Sequence, residues 1–451
     1  MQKPQRRQRL SSKLKHRQRL HSSLLHPRRR LHVHPQHRRV HLHHQHGVRN
    51  PLGLLPAVQE QLYGGRHQAH QLLRVGATLL QLLLDHPVVD ASAMERCINM
   101  NSTDLNRSQH QIVGFNYLRV AACIAIIVLH ATYACGYQFQ NSISLFNYSA
   151  TSAVTNCMMW AVPCFIMITG ALLLDPSREI SIKKIYRKYL LRVFRALVIF
   201  VMVYRFFDMM ISPSGITGRG VIQGIAQIFT GTSWKPLWYL YMLIGLYLLL
   251  PIYRKIAQAC SELELKYFLG IYFIFLSIFP VLSGFGIYIN FTIHIASIYP
   301  FYLFLGYAIR KQLIKLNQKM CVLLVVVCTI LIVSFTSLRW INNIKSLTAL
   351  WTYSSPVVIV ASCAVFNIFL NIKNKAPDAL HRFLLEFDSC SFGIYLIHII
   401  FIKAFTQVLG FNPYIYGAAG FVGLIFIVLI LSFVCTWILL KIAKLIKKGR
   451  N

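Results

Sequence analysis

Asn116-Tyr-Leu-Arg119-Val-Ala-Ala-Cys-Ile-Ala-Ile-Ile-Val-Leu-His130 lies within an apolar run from about 115 to 135, close to the roughly 20 residues that a helix needs to cross a bilayer. Only two side chains in it can carry a positive charge, and they are eleven residues apart. Eleven helical steps of about 100° return nearly to the starting angle, so the guanidinium of Arg119 and the imidazole of His130 share one face, roughly 16 Å apart along the axis. Ionisable groups inside a membrane helix are costly and concentrate at functional positions. Chemistry is therefore expected along this face.

The rest of the chain repeats the apolar pattern. It is 55% hydrophobic and 13% charged over 451 residues, and about ten spans are expected, near 115–135, 151–174, 190–211, 236–253, 267–285, 289–309, 320–337, 349–370, 391–408 and 415–440. The expected fold class is an all-α polytopic membrane protein. One alternate set of loops, from Arg178 and Lys183 through Lys441 to Arg450, carries twenty Lys and Arg, whereas the other carries only Arg219, Lys235, Arg339, Lys345 and Lys403. The positive-inside rule makes the richer set cytoplasmic, and an even number of spans then leaves both termini cytoplasmic. Arg119 falls near the inner interface and His130 past the midplane.

A net charge of +34 would suggest nucleic acid in a soluble protein. Here the charge sits in membrane loops and in an unusual N-terminal stretch, with no nucleic-acid-binding motif, so no nucleic-acid partner is expected. The eleven cysteines are scattered, mostly in apolar runs, without the C-x-x-C spacing of zinc or redox sites. They read as small buried hydrophobes, and no metal site is expected.

Residues 1–93 have a different composition. They hold 13 of the 18 histidines, no Phe, Trp or Ile, and Tyr63 as the only aromatic residue. His, Gln, Arg, Leu and Pro dominate, all types that can be encoded by codons that begin with C. An overextended gene model starting in truth at Met94 or Met100 is the favoured reading. The alternatives are a disordered basic tail, too poor in aromatic and β-branched residues to offset its ordering entropy, and metal binding by the cluster from His32 to His46. Residues 94–114 form a short cytoplasmic segment, 115–440 the transmembrane domain and 441–451 a basic cytoplasmic tail.

The third span opens Arg187-Lys188-Tyr-Leu-Leu-Arg192-Val-Phe-Arg195. Arg192 and Arg195, at i and i+3, are neighbours on one helix face and with Arg119 can make a basic cluster at the inner rim. Snorkelling to lipid phosphates is the alternative for such arginines. Further stretches stand out in later spans: Pro163-Cys-Phe-Ile-Met-Ile-Thr-Gly170, Leu237-Trp-Tyr-Leu-Tyr-Met-Leu-Ile-Gly-Leu-Tyr247 and Ser389-Cys-Ser-Phe-Gly-Ile-Tyr395-Leu-Ile-His398.

In these features, in this order, residues 112–440 resemble acyltransferase family 3, the bacterial integral-membrane O-acyltransferases. Arg119 to His130 corresponds to the family's first-span signature, and Arg192 to Arg195 to its R-x-x-R signature. The likeness is greatest to stand-alone enterobacterial-type O-acetyltransferases of envelope polysaccharide. The resemblance implies transfer of an acyl group, commonly acetyl from acetyl-CoA, to a hydroxyl of a sugar or lipid-linked glycan, in the bacterial inner membrane. Oligomeric state is left open.

Coenzyme A is anionic at one end and carries its thioester on a long arm. Arg119, Arg192 and Arg195 suit the phosphates, because guanidinium forks bind them bidentately. His130 suits the role of general base toward the acceptor hydroxyl, or of a nucleophile that takes the acyl group. Asp208, the one carboxylate that these span boundaries place deep in a span, is the candidate to orient His130; a helix-end aspartate at the interface is its alternative. Trp238 and Tyr239 offer surfaces on which a sugar ring can stack, or belong to an aromatic belt. Tyr395 and His398 complete the candidate substrate-binding set, with a hydrogen-bonded core histidine as the alternative for His398. Gly170, Gly245 and Gly306 are expected to permit close helix contacts. The competing function is a transporter or flippase of polysaccharide or lipid-linked sugar, although the prolines do not fall at matched positions in two halves as inverted repeats require.

Overall fold

The computed structural model describes residues 113–450 apart from 292, 295, 296 and 373–375, with side chains described as far as residue 446. The expectations for residues 1–93 and 94–112 lie outside the described residues. Every regular element among those described is helical.

Among the described residues, eight helices are long and apolar enough to cross a membrane: α1 (Val113–Phe139), α2 (Leu145–Leu173), α5 (Lys235–Ala259), α6 (Glu262–Gly284), α8 (Gln318–Ile341), α9 (Lys345–Leu370), α10 (Asp378–Val408) and α11 (Pro413–Ile446). Between them lie α3 (Leu191–Ile211), α4 (Gly218–Thr230) and α7 (Tyr299–Arg310). Two of the ten expected spans are thus outside this set. Helix α3 carries Arg192, Arg195, Arg205 and Asp208 in a single run of 21 residues, which makes it too charged. Helix α7 has only 12 residues, about 18 Å of helix against a hydrocarbon thickness of about 30 Å.

Helices α1 and α10 run parallel in one constant register. Arg119 meets Asp388, the Cys123 thiol meets the carbonyl of Ser391 at 3.7 Å, and His130 meets His398. The alignment puts one rung of contacts near the start of α1 and another about 16 Å along it.

Helix α7 packs against the second half of α2 with almost no space between the backbones. A Cβ on Gly170 would overlap the carbonyl of Leu303, and one on Gly306 would overlap Met167. Two glycines facing opposite partners let the rods touch, as small residues do in membrane interfaces. Gly245 has open space around its Cβ position, so the expectation of a close helix contact there is not met.

Candidate active site

Three arginines from separate elements converge on a cavity of about 360 Å³, within the size range of small-molecule sites. Arg119 comes from α1, Arg192 from α3, and Arg178 from the loop after α2. The remaining walls include Val162, Phe165, Ile168, Leu172 and Leu243, with the rings of Tyr189, Tyr239, Tyr247 and Tyr395. The cavity is therefore cationic in places and otherwise mostly apolar.

Arg119 is held by two acceptors. Its Nη1 donates to Asp388 Oδ2 at 2.6 Å and to Asn116 Oδ1 at 3.0 Å, with side-chain exposures of 26% for the arginine and 12% for the aspartate. One guanidinium nitrogen is thereby committed to the protein, and the fork retains further N–H donors for a ligand. Arg192 lies over the ring of Phe392, 5.0 Å from its centroid.

The loop that supplies Arg178 is tied down from several sides. Asp175 accepts from Arg310 at 3.2 Å, from Lys311 at 3.3 Å and from the Ser177 backbone at 3.1 Å. Buried Arg254 donates to the carbonyls of Leu173 and of Arg178, the latter at 2.6 Å, and Arg310 donates to the carbonyl of Ala171. Burial alone would raise the Asp175 carboxyl, but the Ser177 hydrogen bonds and the charges of Arg310 and Lys311 outweigh it and hold the group below the usual carboxylate range.

His130 does not line the cavity. It is half-buried, one helical turn beyond the lining residue Ile126, and its Nδ1 lies 2.9 Å from Nε2 of His398. Tyr395, which does line the cavity, stands beside this pair with its ring centroid 5.9 Å from that of His398. Ile126 and Tyr395, which line the cavity, lie one helical turn before His130 and His398 respectively.

The other sequence candidates divide. Tyr239 and Tyr395 line the cavity; the Tyr395 hydroxyl donates to the carbonyl of Pro236. Arg195 is not among the lining residues, although it is half-buried on the same helix as Arg192. Trp238 packs with Tyr299 and Tyr353, at 5.7 and 5.5 Å between centroids, outside the lining set.

Asp208 is not the orienting partner of His130. One of its oxygens accepts from Trp234 Nε1 at 2.7 Å and the other from Lys403 at 3.2 Å, so the carboxylate is neutralised by a nearer cation. The position beside His130 belongs to His398 instead. The deep carboxylate that sequence reasoning missed is Asp388. Helix α10 begins at Asp378, well before the apolar run that sets the expected span at 391, so Glu386 and Asp388 had the look of loop charges. Arg178 was missed in the same way, as one of many cations in a cytoplasmic loop.

The Acyltransferase domain family model matches residues 112–441. The chain belongs to acyltransferase family 3. No curated protein and no solved structure gave a significant match. The protein is therefore a multi-pass membrane acyltransferase, and its catalytic domain comprises the helices that build the cavity and the histidine pair.

Proposed function

We propose that this acyltransferase takes an acetyl group from acetyl-CoA and transfers it to a hydroxyl of an envelope polysaccharide or lipid-linked sugar, in a bacterial inner membrane with the Arg119 end of α1 facing the cytoplasm. The observation that carries the reading is the cavity itself: three guanidiniums in one mostly apolar cavity, with an imidazole one helical turn past its lining residue Ile126. Phosphates suit the arginines, an extended thioester arm suits the apolar walls, and a proton acceptor is needed where the arm ends.

In this reading His130 removes the proton from the acceptor hydroxyl as its oxygen bonds to the thioester carbonyl carbon. The tetrahedral oxyanion collapses with cleavage of the carbon–sulfur bond, and the departing thiolate recovers the proton from the imidazolium. Ester and free coenzyme A result. In the variant with a nucleophilic His130, the ring carries the acetyl group between two such steps. For either route the acyl group must pass the turn that carries Ile126 and Tyr395 to reach His130, and exclusion of water there would protect the thioester.

Membrane vesicles from expressing cells, supplied with labelled acetyl-CoA, test the proposal through thiol release and label on glycan. His130→Ala is expected to abolish both while leaving membrane insertion intact. Arg192→Ala is expected to raise KM for acetyl-CoA by roughly 10- to 100-fold, the weight of a charge-assisted hydrogen bond of about 1.5–3 kcal/mol. Sugar flux across the vesicle with no dependence on acyl-CoA would overturn the assignment in favour of transport.

A further inference from the structure

His398 is fully enclosed, at 0% exposure, and its two ring nitrogens have different partners. Nδ1 is 3.1 Å from the carbonyl oxygen of Ile394, and Nε2 is 2.9 Å from Nδ1 of His130. A carbonyl oxygen can only accept, so Nδ1 of His398 carries the proton. A neutral imidazole has one N–H, so Nε2 of His398 is a lone pair. Nδ1 of His130 must then be the donor between the rings. The lone pair of His130 is left at Nε2, which has no hydrogen-bond partner among the described residues. The opposite assignment would set the Nδ1 lone pair of His398 against the Ile394 oxygen and could be relieved only by charging a fully enclosed ring.

We propose that His398 is a positioning residue, which holds His130 in the tautomer whose Nε2 accepts the acceptor's proton. This rests on the reading of His130 as the base. A carboxylate is the usual partner of a catalytic histidine, but it would bring a fixed negative charge close to the oxyanion that forms on the thioester carbonyl. A neutral imidazole orients the ring without that repulsion. When Nε2 of His130 takes the hydroxyl proton, Nδ1–H remains in place and its bond to His398 becomes charge-assisted and stronger, so the imidazolium is stabilised when it exists. The proton leaves again from Nε2 to the coenzyme A thiolate, and the ring returns to its starting tautomer.

The test uses the full chain in vesicles with acetyl-CoA, read by thiol release. His398→Leu is expected to lower the maximal rate about 100-fold or more while KM for acetyl-CoA stays within about twofold, because the cavity arginines are untouched. His398→Gln, whose amide oxygen can accept from Nδ1 of His130, is expected to recover at least about tenfold of that loss. A wild-type rate in His398→Leu would overturn the proposal, as would equal impairment of the Leu and Gln variants, since packing alone would account for that. A second measurement does not depend on the folding of the His398 variants. Labelled with 15N-histidine, the wild-type chain minus His130→Ala should yield a neutral ring protonated at Nδ1; a ring protonated at Nε2 would overturn the proposal. If His130→Ala itself still turns over acetyl-CoA, the base reading falls. If His130→Ala is inactive and His398→Leu is not, only the positioning role falls.

Discussion

Asp388 supplies the counter-charge that Arg119 needs in a setting where little water is available to either. Removing one member of such a pair leaves an uncompensated charge, which costs roughly 3–5 kcal/mol, whereas replacing both with apolar groups of similar volume is often neutral. Asp388→Ala should therefore lower the thermal midpoint of the detergent-solubilised protein markedly. The double variant Arg119→Leu with Asp388→Leu should regain most of that stability and still fail to turn over acetyl-CoA. A double variant as unstable as the single one would show that the pair does more than compensate charge. Asp175 makes a different prediction, in pH. Its folded-state value is depressed, so its contribution is complete above the unfolded value near 3.8 and is lost as pH falls through the lower folded value. The loop bearing Arg178 should loosen below about pH 4, read as faster proteolysis at Arg178, and Asp175→Asn should show the loosened behaviour already at neutral pH. The i to i+11 spacing on one helix made Arg119 and His130 visible in the sequence. Their partners lie 269 and 268 residues away, a separation that no local pattern reports.

Helix–helix spacing tests the packing of α2 on α7. Gly170→Ala and Gly306→Ala each push a methyl group into a facing backbone, and overpacking of that kind typically costs about 1–3 kcal/mol. Gly245→Ala meets open space and should be neutral or slightly stabilising, by up to about 1 kcal/mol. Thermal midpoints of the three variants separate these outcomes. Hydropathy located most spans because length and apolarity are local properties. It set α10 too late because four of the first nine residues of that helix from Asp378 are acidic or basic, namely Asp378, His381, Arg382 and Glu386. It overstated α7 because the Ile- and Phe-containing stretch 289–298 precedes a helix that begins only at Tyr299. Three glycines looked equivalent in sequence, and only facing backbone distinguishes two of them from the third.

Across the whole molecule, the loop cations predict which end of the cavity opens to the cytoplasm. Cysteines substituted for Lys311, beside the Arg178 loop, and for Gln407, at the far end of α10, should be labelled from opposite sides in a background lacking native cysteines. In intact cells an impermeant maleimide should reach only the Gln407 position; labelling of Lys311→Cys instead would reverse the orientation and place the arginines on the wrong side for a cytosolic thioester. The parallel α1 and α10 helices also have a mechanical consequence. They are riveted at two heights, by an ion pair below and by two rings above, so neither can slide or tilt without the other. A thinner or thicker bilayer must then move both rods together, and the span from guanidinium to imidazole acts as a fixed gauge against which any incoming arm is measured.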